Sequence, residues 1–164
     1  MPADSRPLTE GERALAASIF GNAIDYEPVR IRRRRWFPFQ PRHVVMAPCG
    51  HIHFHPAGQL WSADFSAEPP HRQGLFIHEM VHVWQAQRRG RFYLPLMRHP
   101  FCRYRYRLEP GRSFESYGLE QQAEIVRHAF LTRHETGSNA EAYEGLLPFG
   151  VGNGAQAALP REGG

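Results

Sequence analysis

Two histidines four residues apart, His78 and His82, sit inside the run Leu75-Phe76-Ile77-His78-Glu79-Met80-Val81-His82-Val83-Trp84-Gln85. The run is otherwise mostly apolar, so it predicts a helix that the fold wants to bury. Residues four apart on a helix differ by about 40° around the axis and by roughly 6 Å along it. The two rings can therefore chelate one metal from one face. Glu79 completes an HExxH pentapeptide, in which the carboxylate stands ready to polarise a metal-bound water. Three polar groups in a buried helix are costly unless something satisfies them, and a zinc ion would. The competing reading is an ordinary surface helix with two histidines and a glutamate. Such a helix is more polar on the side that carries those residues, so the apolar flanks favour the metal.

The remaining sequence narrows the setting. At 164 residues the chain is long enough for one domain with a core of its own. Its hydrophobic content of 41% and charged content of 22% are ordinary for a globular protein. No apolar run approaches the roughly 18 residues of a membrane span, so no membrane partner is expected. Met1 to Glu12 carries Asp4, Glu10 and Glu12 without an apolar stretch. That excludes a secretory signal from the reading and makes the cytoplasm the default, with signal-independent export left open. Cys49 and Cys102 are too few for a disulfide scaffold and are read as reduced thiols. Cys49 lies close to His51, which makes it a weaker metal candidate. The net charge of +4 comes largely from Arg30 with Arg32 to Arg35, and from Arg103, Arg105 and Arg107. Tyr104 and Tyr106 interleave with the second group, a pattern that can bind nucleic acid. Both stretches also alternate with period two, as half-exposed strands do, and no nucleic-acid motif accompanies them, so nucleic acid is not expected as a partner.

Along the chain, Thr9-Glu10-Gly11-Glu12 is a capping box that leads into a helix from Arg13 to Phe20, ended by Gly21. Val29 to Trp36, Val44 to Ala47 and His51 to His55 are strand candidates, punctuated by Pro38, Pro41 and the turn Pro48-Cys49-Gly50. The metal helix is expected from about His71 to Arg89, with Gly90 as its C-cap. Residues 91–112 contain Pro95, Pro100 and Pro110 and are expected to be irregular. A second long helix is predicted from about Ser116 to His134. Residues 137–164 form a Gly- and Ala-rich tail, within which Leu146-Leu147-Pro148-Phe149 docks on the body and the last dozen residues are disordered. Helix, short strands, metal helix and helix in that order make an α+β fold.

A catalytic zinc needs three protein ligands and one open position. The HExxHxxGxxH extension is absent, because Gln85 and Arg88 occupy its last two defined places. The second long helix offers Glu120 and Glu124. Its apolar stripe is Leu119, Ala123, Val126 and Phe130. Glu120 lies about 90° from the stripe's centre and Glu124 about 130°, at 100° per residue. Glu120 is thus the better buried ligand. Glu124 is placed to accept the free ring N–H of a ligating histidine, with His128 four residues on as its partner. The alternative for both carboxylates is a solvated face paired with Arg127.

Glu120-x-x-Ala123-Glu124 resembles the Glu-x-x-Ala-Asp or Glu-x-x-Ala-Asn segment of small gluzincin metallopeptidases. The resemblance implies that His78, His82 and Glu120 hold zinc and that Glu79 is the base. Glu124 departs from the pattern, which has Asp or Asn there. Phe20-Gly21-Asn22-Ala23-Ile24-Asp25-Tyr26, Val29-Arg30-Ile31, residues 78–85 and residues 117–126 together resemble bacterial Vgr-related proteins, a zincin-like group whose label points to type VI secretion. The likeness spans residues 8 to 134. It implies a zincin-like domain over residues 1–136, with a short, mostly antiparallel sheet and a second helix that carries the third ligand.

His51, His53 and His55 share one face of their strand. They are candidates for a second metal, for lining the cleft that would take an extended peptide by strand addition, or for plain polar positions on a half-exposed strand. The functional expectation is a zinc-dependent metallopeptidase acting on a peptide or protein substrate. Glu79 would be the general base, and Tyr117 or His55 the extra donor to the developing oxyanion. The rival is a non-enzymatic accessory or adaptor protein of a secretion locus, with zinc as a structural staple. A fourth protein ligand from His51, His53 or Cys49 would mark the closed, structural case.

Overall fold

The computed structural model describes residues 4–97, 103–133, 135 and 139–149. Cys102, His134 and the last dozen residues lie outside them, and with them the expectations placed there.

Strand β1 (Ser5–Pro7) runs directly into helix α1 (Glu10–Phe20). The capping box is present in full. Thr9 Oγ1 accepts from the Glu12 amide at 3.0 Å, and the Glu12 carboxylate accepts from the Thr9 amide at 2.9 Å. Helix α1 therefore starts at Glu10 rather than at Arg13. Glu12 does more than cap. It is fully buried, takes two bonds from Arg6 at 2.8 Å, and accepts from the Phe65 amide at 2.9 Å. One carboxylate thus ties β1, α1 and the 3-10 turn Phe65–Ala67 together.

Strands β2 (Arg30–Arg32) and β3 (Ile52–His53) complete a three-stranded sheet of order β1-β2-β3. β1 pairs antiparallel with β2 in the register Arg6 to Ile31, and β3 pairs parallel with β2 in the register Ile31 to Ile52. The sheet is mixed, not mostly antiparallel, and its strands are shorter than their alternation predicts. Val44 to Ala47 contributes only a bridge from Met46 to His53. The cause is local. Pro38 and Pro41 have no amide hydrogen to donate to a ladder. The buried side chain of Gln40 instead donates to the carbonyls of Val44 and His53, at 2.9 and 3.1 Å. The period-two burial of Val29 to Arg32 does hold, with Val29 and Ile31 inward.

Helix α2 (Pro70–Arg89) is 20 residues long and carries His78, Glu79 and His82. It begins with Pro70 at its first position, where a missing amide costs nothing. It ends at Gly90, whose φ of 97° is open chiefly to glycine. Helix α3 (Tyr93–Met97) follows. A separate 3-10 turn, Phe114–Ser116, precedes helix α4 (Leu119–Thr132). The single helix expected from Ser116 is broken here because Gly118 is extended and acts as the N-cap, with its amide donating to the Gln121 side chain at 3.0 Å. Helix α5 (Ala140–Glu144) falls in the Gly- and Ala-rich stretch.

Helices α2 and α4 pack side by side. At Gly74 a side chain would meet Leu131 Cδ2 at 3.3 Å and the Arg127 stem at 3.5 Å, so the absence of a Cβ lets the helices approach. The core divides around α2. Phe54, Phe65 and Phe76 stack on one side, at ring separations of 5.3 and 5.5 Å. On the other, Phe149 packs edge-on against Phe20 and Trp84, so the docking expected of Leu146 to Phe149 is seen. The buried face of α4 is wider than the predicted stripe: Ile125, Ala129, Glu120 and Gln122 join Ala123, Val126 and Phe130, while Leu119 is only half-buried.

Candidate metal centre

The α2–α4 contact brings together the residues that the sequence singles out. His78, Glu79 and His82 project from the buried middle of α2, and Glu120 from the first turn of α4. One donor atom from each of His78, His82 and Glu120 lies within 4.8 Å of the other two. The Glu120 carboxylate is 3.4 Å from His78 Nε2 and 3.2 Å from His82 Nε2. Two ligand atoms bound 2.0–2.1 Å from a tetrahedral zinc stand about 3.3 Å apart. The spacing therefore suits that ion without rearrangement.

The outward ring nitrogens are held as well. His78 Nδ1 bonds Glu124 Oε1 at 2.7 Å, which is the part the spacing assigned to Glu124. Arg127 and His128 flank that carboxylate at 3.2 and 3.8 Å. His82 Nδ1 bonds Gln85 Oε1 at 2.9 Å. Gln85 in turn donates to the Leu119 carbonyl and to Gln122 Oε1, and Gln122 donates to the Tyr117 carbonyl. Each ring thus has its Nδ1–H directed to an acceptor, which leaves each Nε2 pointing inward at Glu120. No spacing rule points to Gln85 in this part.

The electrostatics call for a cation. Burial alone would push the His78 pKa down, yet the carboxylates of Glu120, Glu124 and Glu79 together lift it to about 9. The bond to His78 holds Glu124 below the usual carboxylate range, with Arg127 and His128 assisting. Glu79 is only 4% exposed, and its Oε2 is buried with no hydrogen-bond partner among the described residues. A buried carboxylate oxygen without a partner is expensive unless a cation or a held water stands against it. A cavity of about 460 Å³ borders Glu120 and Gln85 and is rimmed by Arg88, Arg89 and Arg103.

Three expectations fail on geometry. The Tyr117 hydroxyl is taken up by the Glu109 amide and the Arg107 carbonyl, both at 3.2 Å, so it is a packing and bracing residue and not an oxyanion donor. His55 faces Arg35 Nε and the Ala57 amide at 3.0 Å with its two ring nitrogens, which removes it from the same part. His51, His53 and His55 do not form a second metal group. His53 is buried against the Arg34 carbonyl, and its pKa falls to about 4 through burial first and the Arg32 charge second. Among the described residues, the one set of His, Cys, Asp or Glu donors close enough to share an ion is His78, His82 and Glu120. Neither the histidine strand nor Cys49 adds a fourth ligand to it.

Fold and cluster together define a small α+β domain in which two long packed helices enclose a histidine pair and a glutamate. The solved structure of the effector domain of Pseudomonas aeruginosa VgrG2b is similar, with a TM-score of 0.72 and 41% sequence identity, over 85% of this chain and 80% of that one. The chain belongs to the family of that effector domain. It is also 46% identical over 140 residues to the type VI secretion system spike protein VgrG2b of Pseudomonas aeruginosa. That match takes in 80% of this chain but only 13% of the spike protein's length. No family model matches the chain.

Proposed function

We propose that this chain is the effector domain of a type VI secretion route and that it hydrolyses peptide bonds in a zinc-dependent reaction. The observation that carries the chemistry is the pair of inward-facing Nε2 atoms set 3.2 and 3.4 Å from Glu120, beside a buried and unpartnered Glu79 Oε2. His78, His82 and Glu120 would hold the ion. When bound, zinc supplies Lewis-acid polarisation of a water and of the scissile carbonyl. Glu79 Oε2 takes the water's proton and returns it to the departing amine nitrogen. Glu124 and Gln85 keep the two imidazoles turned so that their lone pairs face the ion. The setting comes from the relatives, one named as an effector domain and the other as a secretion spike.

The relatives' names also favour a second reading, in which the domain serves the secretion apparatus and zinc only staples α2 to α4. A staple needs four protein ligands and no base. Among the described residues the site offers three ligands and keeps a buried glutamate whose Oε2 has no hydrogen-bond partner.

Metal content and hydrolysis of an unfolded protein substrate, measured side by side, separate the two readings. Wild type should carry about one zinc per chain, and His78→Ala and Glu120→Ala should lose it. Glu79→Gln should keep the zinc and lose hydrolysis by at least ~100-fold, the scale of a general base. A Glu79→Gln protein as active as wild type would end the peptidase proposal. A wild type that takes up no zinc would end both readings of the site.

A further inference from the structure

From Pro28 to Ala63 the chain holds six arginines and no aspartate or glutamate. The whole chain carries +4, so this segment carries +6 and the remainder −2. The charge is not spent internally. Among the described residues, Arg32, Arg33, Arg34, Arg35 and Arg42 make no ion pair with a carboxylate. Arg33 lies flat over Trp61, 5.1 Å from the ring centre.

At the tip of this segment, in the loop after β2, stands Trp36-Phe37-Pro38-Phe39-Gln40-Pro41. Phe39 is 86% exposed and Trp36 40%, while Gln40, the tip's one amide side chain, is 3% exposed. Gln40 is turned inward, where it accepts from the Trp36 amide at 2.8 Å and donates to the Val44 and His53 carbonyls. Arg35 braces the other side by donating to the Pro38 carbonyl at 3.2 Å and to His55 Nε2. The fold therefore uses the buried Gln40 amide, and two prolines, to hold large aromatic rings out in water. A loop with no role would bury or omit them.

We propose that this loop is a docking surface for an anionic lipid bilayer. Trp36 and Phe39 would sit at the headgroup–acyl boundary, and Arg33, Arg34 and Arg42 would meet lipid phosphates. Indole and guanidinium groups suit that boundary, where one end of a side chain is apolar and the other wet. Single-stranded nucleic acid is less well matched, because apart from the inward-turned Gln40 the Trp36 indole N–H is the one hydrogen-bonding side-chain group the tip has for a base edge. The absence of a spanning helix among the described residues does not bear on this, since the loop lies on a membrane rather than across it. The loop contains none of the metal-site residues, so the proposal stands apart from the hydrolytic one.

Flotation of the full chain with vesicles tests it. The protein should rise with mixed phosphatidylglycerol and phosphatidylcholine vesicles, much less with phosphatidylcholine alone, and less as salt is added. Phe39→Ser, at a position too exposed to disturb the fold, should weaken partition by roughly tenfold. Arg34→Gln with Arg42→Gln should weaken it by a similar factor. Circular dichroism should show every variant folded. No flotation with anionic vesicles at low salt would overturn the proposal. So would flotation that Phe39→Ser leaves unchanged, or a Phe39-dependent affinity for a single-stranded oligonucleotide where vesicles do not bind.

Discussion

Gln85 shows how much of a candidate metal centre lies outside the residues that would ligate the ion. Its carbonyl oxygen takes the Nδ1–H of His82, and its amide nitrogen is fixed by Gln122 and the Leu119 carbonyl. The ring therefore cannot turn without breaking a chain of buried hydrogen bonds. Partners of this kind typically affect metal affinity by 10–100-fold. Gln85→Ala should weaken zinc binding by about that factor in a competition titration against a chromophoric chelator. An unchanged affinity would show that the His82 ring is held by packing alone. His78, Glu79 and His82 were legible from the sequence because their relation is local: four residues of helix put two rings on one face. Glu120 was legible because its position relative to its own helix's apolar stripe could be computed. Gln85 was not, since its part depends on Gln122 and Leu119, which lie more than thirty positions away and reach it only through the α2–α4 packing. The same holds for Tyr117, whose hydroxyl is spent on backbone groups no spacing rule points to.

Among the elements, helices were readable and strands much less so. Capping boxes, prolines at first turns and terminal glycines are local signals, and α1 and α2 obey them within a few residues. The alternation beyond β2 and β3 does not become strand, because prolines interrupt it and the Gln40 side chain bonds the Val44 and His53 carbonyls across the intervening loop. β1 gave no signal, being three residues long and ending in proline. What holds it is Glu12, whose two oxygens serve Arg6 of β1, the Thr9 cap and the Phe65 amide at once. Glu12→Ala would leave the Arg6 guanidinium largely buried without its counter-charge and two amides without acceptors. Breaking a buried pair in this way typically costs 3–5 kcal/mol. Urea unfolding should show a loss of that order, against about 2 kcal/mol for Thr9→Ala, which removes the cap bond from the Glu12 amide and the hydroxyl's bond to Asp64 but leaves no buried charge unpaired. Equal effects from the two variants would mean that Glu12 acts as a cap and not as a three-way tie.

For the whole molecule, two histidines set opposite limits on stability with pH. His53 is buried and neutral, with its pKa pushed down to about 4. The unfolded chain takes up a proton near 6.5 and the folded one does not, so the stability that His53 contributes is complete above 6.5 and is lost as pH falls toward 4. His78 runs the other way. Its folded pKa is about 9, so its contribution is complete below 6.5 and is lost as pH rises toward 9. Each shift is about 2.5 pH units, which corresponds to roughly 3 kcal/mol. That is a large share of the ~5–15 kcal/mol that holds a domain together. Chelator-treated protein should therefore be most stable near pH 6.5 and weaken on both sides. Zinc would replace the proton among the carboxylates of Glu79, Glu120 and Glu124, and it binds neutral imidazole, so it removes the reason for the alkaline loss. Denaturation curves at about pH 5, 6.5 and 9, with chelator and with excess zinc, check this. At pH 9 zinc at ~100 times its dissociation constant should restore about 2.7 kcal/mol. At pH 5 it should restore much less, because protons then compete for both histidines. A chelated protein no weaker at pH 9 than at 6.5 would show that the carboxylates around His78 do not hold its proton, and would remove the electrostatic case for a cation between α2 and α4.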